Sequence, residues 1–135
     1  MPVPSGKYEG VGRMELNKIM IVDDSATSRM IIKRCFQMAG YQDATFIEAE
    51  DGLKAMSNLN RAEVDLVVTD LNMPKMDGTT FIKKLRLIDK TKKLPVVVIS
   101  SMGNEQLEKE LSEKGVMGIL RKPMTPEKVT ELLGE

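Results

Sequence analysis

The sequence contains no histidine. That absence removes Ser-His-Asp and Cys-His triads, histidine metal sites and any role as a phosphohistidine donor. A single cysteine, Cys35, has no partner for an internal disulfide and cannot build a multi-cysteine zinc site. Neither charge is in excess. Lys+Arg number 20 and Asp+Glu number 20. A generally basic nucleic-acid binder is therefore disfavoured, because counterion release needs clustered excess positive charge. Long hydrophobic runs are also missing. The longest, Val96 to Ile99 and Ile19 to Val22, fall far short of the ~20 residues of a membrane-spanning helix. The N-terminus, MPVPSGKYEG, has no apolar h-region, so no signal peptide, no membrane partner and a reduced cytoplasmic location are expected. What remains is carboxylates, hydroxyls, lysines and backbone groups, a set that suits hard cations such as Mg2+.

A chain of 135 residues is one domain, long enough to bury a core without staples. Residues 1–15 carry Pro2, Pro4, Gly6, Gly10 and Gly12 without an apolar period; they are expected to form a flexible tail, with the folded domain over 16–135. From Asn17 the pattern alternates. Ile19–Val22 is a short apolar strand. Ser25–Gly40 has apolar residues three and four apart, which predicts a helix stopped at Gly40. Ala44–Ala49 is a weaker strand, Leu53–Asn60 a short helix, and Val64–Thr69 a strand. Phe81, Ile82, Leu85 and Ile88 form a helical stripe after Gly78. Pro95–Ser100 is the clearest strand, Leu107 and Leu111 lie in a polar helix that Asn104 can cap, and Val116–Leu120 is a strand. Thr125-Pro126 opens a last helix with Val129, Leu132 and Leu133 inward. Five βα units with apolar central strands predict an α/β fold, a doubly wound five-stranded parallel sheet covered on both faces. Met30, Met38 and Met56 are expected to fill core gaps. The basic stretch KKLRLIDKTKKL, 83–94, reads as a solvated helix end and loop rather than a binding patch.

The polar residues matter by position. Asp23 and Asp24 follow the first strand, Asp70 the third, Ser100 closes the fourth, and Lys122 follows the fifth. In a parallel sheet all these strand ends lie on one edge, where open α/β sheets bind ligands. Each residue alone is ordinary cap or turn chemistry; the joint placement is not. Three crowded carboxylates repel, and a divalent cation resolves that repulsion. A lysine and a hydroxyl beside them suit a phosphoryl group, whose transfer needs chiefly positioning and charge neutralisation. A carboxylate nucleophile would give an acyl phosphate.

The segments IMIVDDSATSRMII, EAEDGLKA, DLVVTDLNMPKMDG, PVVVISS and GVMGILRKPM together resemble the response-regulator receiver domain of two-component signalling, over about Asn17 to Leu133. The stand-alone chemotaxis type, CheY-like, is the closest in kind, since no output domain is expected after Glu135. The resemblance implies a flavodoxin-like (βα)5 fold with strand order 2-1-3-4-5. It implies Asp70 as phosphoacceptor and Asp24 as direct magnesium ligand. Asp23 would reach the metal through water, and Asn72 would bind it by its backbone carbonyl. Ser100 and Lys122 would contact the phosphoryl group. Pro123 matches a proline often preceded by a cis peptide, and Asp77-Gly78 the loop into the third helix. The implied partners are a sensor histidine kinase as phosphodonor and a downstream effector, a flagellar motor switch or a phosphorelay protein. The switching surface would be the helix 4–strand 5–helix 5 face of a monomer.

The chain departs from the family pattern at three places. Ile119 stands where an aromatic residue usually rotates inward, Met124 where Phe often follows Lys-Pro, and Met102 where a polar residue is common. Met102 is expected to crowd the water path to the acyl phosphate and lengthen its life. Two other functions compete. A magnesium-dependent aspartyl-phosphate phosphatase would use similar groups but needs a cap or substrate pocket, so a turnover enzyme is not expected. A phosphate-independent pseudo-receiver scaffold sits poorly with intact Asp23, Asp24, Asp70 and Lys122.

Overall fold

The computed structural model describes residues 14–101 and 105–134. Five strands alternate with five helices: β1 Lys18–Val22, α1 Ala26–Phe36, β2 Thr45–Ala49, α2 Gly52–Arg61, β3 Leu66–Asp70, α3 Gly78–Leu87, β4 Val96–Ser100, α4 Glu105–Glu113, β5 Gly118–Arg121 and α5 Pro126–Leu133. All pairings are parallel, in the order β2-β1-β3-β4-β5.

The side-chain period of two sorts the central strands between two cores. Ile19, Ile21, Leu66, Val68, Val97 and Ile99 face one side, where α1 and α5 bring Ile32, Phe36, Val129 and Leu133. Met20, Val22, Val67, Val96 and Val98 face the other, against Ala55, Leu59, Phe81, Ile82, Leu85 and Leu111. Most of these strand residues have no solvent exposure, and each full burial stabilises by about 1.5–3 kcal/mol. Local chemistry starts the helices where this packing needs them. The side chains of Ser25, Asp51, Asp77 and Thr125 accept hydrogen bonds from the backbone N–H three residues on, over 3.1, 2.8, 2.8 and 3.2 Å. Pro126 occupies the first turn of α5, where its missing N–H costs nothing.

Several boundaries move. The expected helix Ser25–Gly40 is regular only to Phe36; Gln37–Tyr41 forms a wider turn that Gly40 breaks with φ of 112°. Strand β3 begins two residues later than read and takes in Asp70, and β5 runs over Gly118–Arg121 rather than from Val116. Ile88 closes α3 in extended conformation and is 40% exposed. Of the expected core methionines only Met56 packs on a core; Met30 and Met38 are 50% and 74% exposed. The core-facing stripe of α1 consists of Ile32, Cys35 and Phe36. Two apolar frames fit a spacing of three and four there, and only the sheet decides which one is buried. Met14, read as tail, is fixed: its N–H donates to the Leu133 carbonyl (3.0 Å) and its carbonyl accepts from the Tyr41 hydroxyl (2.9 Å). The expected cap Asn104, residue Met102 and the tail before Met14 lie outside the described residues.

Arg86 closes the edge of the sheet away from Asp70. Its Nε donates to the carbonyl of Lys114 (2.7 Å) and Nη1 to that of Leu94 (2.8 Å), with longer bonds to Thr91, Lys92 and Gly115. One guanidinium thus ties the α3–β4 connection to the α4–β5 turn. Hydrogen bonds from a charged donor are each worth about 1.5–3 kcal/mol, so Arg86→Ala is expected to lower urea-unfolding stability by about 2–3 kcal/mol. Arg86→Lys is expected to recover less than half of that, because an ammonium cannot match the fork.

Candidate functional site

Asp23, Asp24, Asp70, Ser100 and Lys122 meet at the C-terminal edge of the sheet. The register explains how. Asp70 pairs with Ile99 and Ile99 with Leu120, so Ser100 sits one step and Lys122 two steps beyond the residues level with Asp70. The chain leaves β1 directly into Asp23, whose N–H is held by the Ala49 carbonyl at 3.0 Å. Asp23 and Asp70 are buried, at 0% and 7% exposure, whereas Asp24 is exposed at the mouth. One carboxylate oxygen from each of the three lies within 4.8 Å of the others.

Buried carboxylates persist only when partnered. Asp23 Oδ1 accepts from the Ser25 N–H (2.9 Å), and Oδ2 from the Ser28 hydroxyl (2.6 Å). Asp70 Oδ1 accepts from the Leu71 N–H (2.7 Å). Lys122 bridges the two: its ammonium is 3.1 Å from Asp23 Oδ2 and 3.4 Å from Asp70 Oδ2. Burial alone would lower the Lys122 pKa. The hydrogen bond and charge of Asp23, then those of Asp70, outweigh burial and raise it above the ordinary lysine value, so the ammonium stays charged at neutral pH. One cation against three carboxylates leaves the cluster negative, and its all-oxygen donor set at the open edge fits a hard divalent cation.

The surroundings hold these groups in place. The Lys122–Pro123 peptide is cis, and the Lys122 N–H donates to the Ser100 carbonyl (3.0 Å). Gly78 lets α3 start directly against β3: its N–H donates to the Leu71 carbonyl (2.8 Å), and a Cβ there would lie 2.3 Å from the Asp70 carbonyl oxygen. Asn72 is exposed two residues past Asp70. Ile119, half-buried, packs on the core that holds Val98, Phe81 and Leu111, and Met124 is buried in the core that holds Ile32 and Val129. Sequence reasoning missed Arg29 and Ser28. The Arg29 Nη1 donates to the Asp23 carbonyl (2.6 Å) while its Nε pairs with Glu48 at 2.8 Å. Their place in the first turn of a capped helix is the only signal that could have found them. Beside Lys122, a depression of about 540 Å3 lies between α1 and the start of α5, floored by Ile31, Ile32 and Met124.

An open parallel sheet of this order, with acids and a lysine converging at the C-terminal edge, defines a small doubly wound α/β protein with an acidic site where such sheets bind their ligands. The match to known proteins narrows that class. The response regulator receiver domain family matches residues 19–134, and the chain belongs to it. It is 36% identical over 117 residues to the chemotaxis protein CheY1 of Helicobacter pylori, covering 86% of this chain and 93% of that one. It is 38% identical over 116 residues to CheY-3 of Vibrio cholerae, covering 86% and 88%. Among solved structures, the chemotaxis response regulator CheY4 of Vibrio cholerae superposes with a TM-score of 0.75 at 29% identity, over 87% of this chain and 95% of that one. A CheX–CheY–BeF3–Mg2+ complex from Borrelia burgdorferi gives 0.75 at 31% identity, over 85% and 84%. The chain is thus a CheY-like receiver, as the motifs imply. No helix among the described residues is long and apolar enough to cross a membrane.

Proposed function

We propose that this receiver is a phosphorylation-dependent signalling switch, with Asp70 accepting the phosphoryl group of a phosphohistidine on a sensor histidine kinase. The convergence of Asp23, Asp24 and Asp70 with Lys122 carries this reading. An Asp70 carboxylate oxygen attacks phosphorus, the bond from phosphorus to the donor nitrogen breaks, and the imidazole keeps the electron pair. Lys122 neutralises a phosphoryl oxygen, and Ser100 turns its hydroxyl to another. The carboxylates of Asp23, Asp24 and Asp70 and the Asn72 carbonyl would hold Mg2+, which supplies charge neutralisation at the phosphoryl oxygens. The apolar depression beside Lys122, with Ile31 45% exposed, supports a protein donor docking there. Phosphorylation changes partner binding through the α4–β5–α5 face. With Ile119 already packed, the change relies on Ser100 and the loop after it. The output is chemotaxis-type or phosphorelay, its effector a flagellar motor switch or a phosphorelay protein. Chemistry is confined to the chain's own phosphotransfer and slow self-hydrolysis, without turnover of an external ester.

Millimolar Mg2+ is expected to raise the wild-type melting temperature, because it binds only the native cluster. Acetyl phosphate with Mg2+ is expected to add one phosphoryl group by intact mass. Asp24→Ala is expected to lose most of the Mg2+ shift and to slow the modification. An equal shift in Asp24→Ala, or no modification of the wild type, would count against the assignment.

A further inference from the structure

The basic stretch that reads as solvent-facing in the sequence takes on a different character in the fold. At the edge of the sheet opposite Asp70, the end of α3, the segment leading into β4 and the α4–β5 turn enclose an open groove of about 950 Å3. Its floor is apolar. Leu94 and Pro95 are half-buried there, and Leu87 and Met117 stand 83% and 37% exposed. Lysines form its rim: Lys83, Lys92, Lys93 and Lys114. Among the described residues, one acid, Glu113, lines it. Among the described residues, the only carboxylate within ion-pair distance of these lysines is Asp89, 3.4 Å from Lys92. Beneath them Arg86 spends its donors on backbone carbonyls, so no carboxylate cancels its charge. A chain with zero net charge therefore concentrates positive charge around an apolar slot.

We propose that this groove docks an acidic, extended peptide segment of a partner protein, with one apolar side chain seated between Leu87 and Met117 and flanking Asp or Glu residues on the lysine rim. Charge complementarity and the apolar floor together select that occupant. A small anion would need donors converging on one point, whereas these lysines are spread along a rim. A nucleic acid would need stacking surfaces, and no aromatic residue among the described residues lines the groove. A flat lipid surface would leave the concave floor uncovered. The surface shares only Glu113 at the end of α4 and the α4–β5 turn with the α4–β5–α5 face, and its docking is independent of the Asp70 chemistry.

Random-peptide phage display against the immobilised full chain, counter-selected on a Lys92→Glu/Lys93→Glu/Lys114→Glu variant, tests this. The expected result is enrichment of peptides with Asp or Glu flanking Leu, Ile or Phe. The leading peptide, made synthetically, is expected to bind on the order of tenfold more weakly to Lys93→Glu and to Leu87→Ser. Its affinity should fall with added salt and stay unchanged in Asp70→Asn. Leu87 is almost fully exposed, so its replacement leaves the fold intact, and circular dichroism checks each variant without reference to phosphorylation. The proposal is overturned by no enrichment, by peptides without acidic residues, or by either variant binding the peptide as tightly as the wild type does. Undiminished binding after the peptide's apolar residue is changed to Ser would show a charge-only surface and also overturn it. So would sedimentation showing the wild type self-associating while Leu87→Ser stays monomeric, which assigns the groove to a second copy.

Discussion

Asp70→Asn is expected to remain unmodified under conditions in which acetyl phosphate and Mg2+ phosphorylate the wild type to completion. The substitution keeps the side chain's shape and its place at the end of β3, but an amide oxygen is not an anionic nucleophile. The fold should survive, because the Asn carbonyl can still accept the Leu71 N–H that Asp70 Oδ1 accepts at 2.7 Å. Lys122 retains Asp23 at 3.1 Å. Losing one of three crowded negative charges should even relieve repulsion in the metal-free protein, while reducing the stabilisation by Mg2+. Intact mass reads the first effect and thermal unfolding with and without Mg2+ the second. Phosphorylation persisting in Asp70→Asn would move the acceptor elsewhere. A hydroxyl would then be the alternative, and Ser100→Ala the next variant.

Gly78→Ala should damage the site from behind. A Cβ at Gly78 would lie 2.3 Å from the Asp70 carbonyl oxygen and 2.8 Å from the Leu71 Cα, both backbone atoms. Neither can rotate away, so α3 must retreat from the end of β3 and weaken the bond from the Gly78 N–H to the Leu71 carbonyl. Overpacking of this kind costs about 2–3 kcal/mol. Because the clash is with Asp70 itself, the rate of phosphorylation by acetyl phosphate is expected to fall on the order of tenfold, since small misplacements of a reacting group are expensive. Gly115→Ala is the matched control. Gly115 has φ of +75° with nothing within 4 Å of the added Cβ. Its replacement should cost about 1 kcal/mol from backbone strain alone and leave the phosphorylation rate unchanged. Equal kinetic effects in the two variants would show that lost stability, rather than displaced geometry, sets the rate.

The elements legible from the residues were those with one strong local cause. PVVVIS is apolar at successive positions and became β4, buried on both faces. Thr125-Pro126 announced the start of α5. The site was legible for a related reason: a parallel sheet carries every strand's C-terminal end to one edge, so acids placed just there must meet. Thus Asp23, Asp24, Asp70, Ser100 and Lys122 could be assembled from position along the chain alone. The choice between equivalent local solutions could not. Helix α1 offers two apolar frames, and the sheet buries Ile32, Cys35 and Phe36 while leaving Ile31, Met30 and Met38 exposed. Strand β5 starts at Gly118, two residues after its apolar run begins, because pairing with Val97 sets the register. The basic stretch is another case. By itself it is a helix end and loop, and only the approach of the α4–β5 turn makes it one wall of a groove. Lys122 belongs on both sides of this division. Its distance in sequence from Asp23 carries no information about contact, yet strand order places its ammonium 3.1 Å from that carboxylate. The sequence by itself determined which residue types stand at which strand ends. Tertiary structure decided which face is buried, which charges pair and which surfaces join, because those depend on neighbours far along the chain.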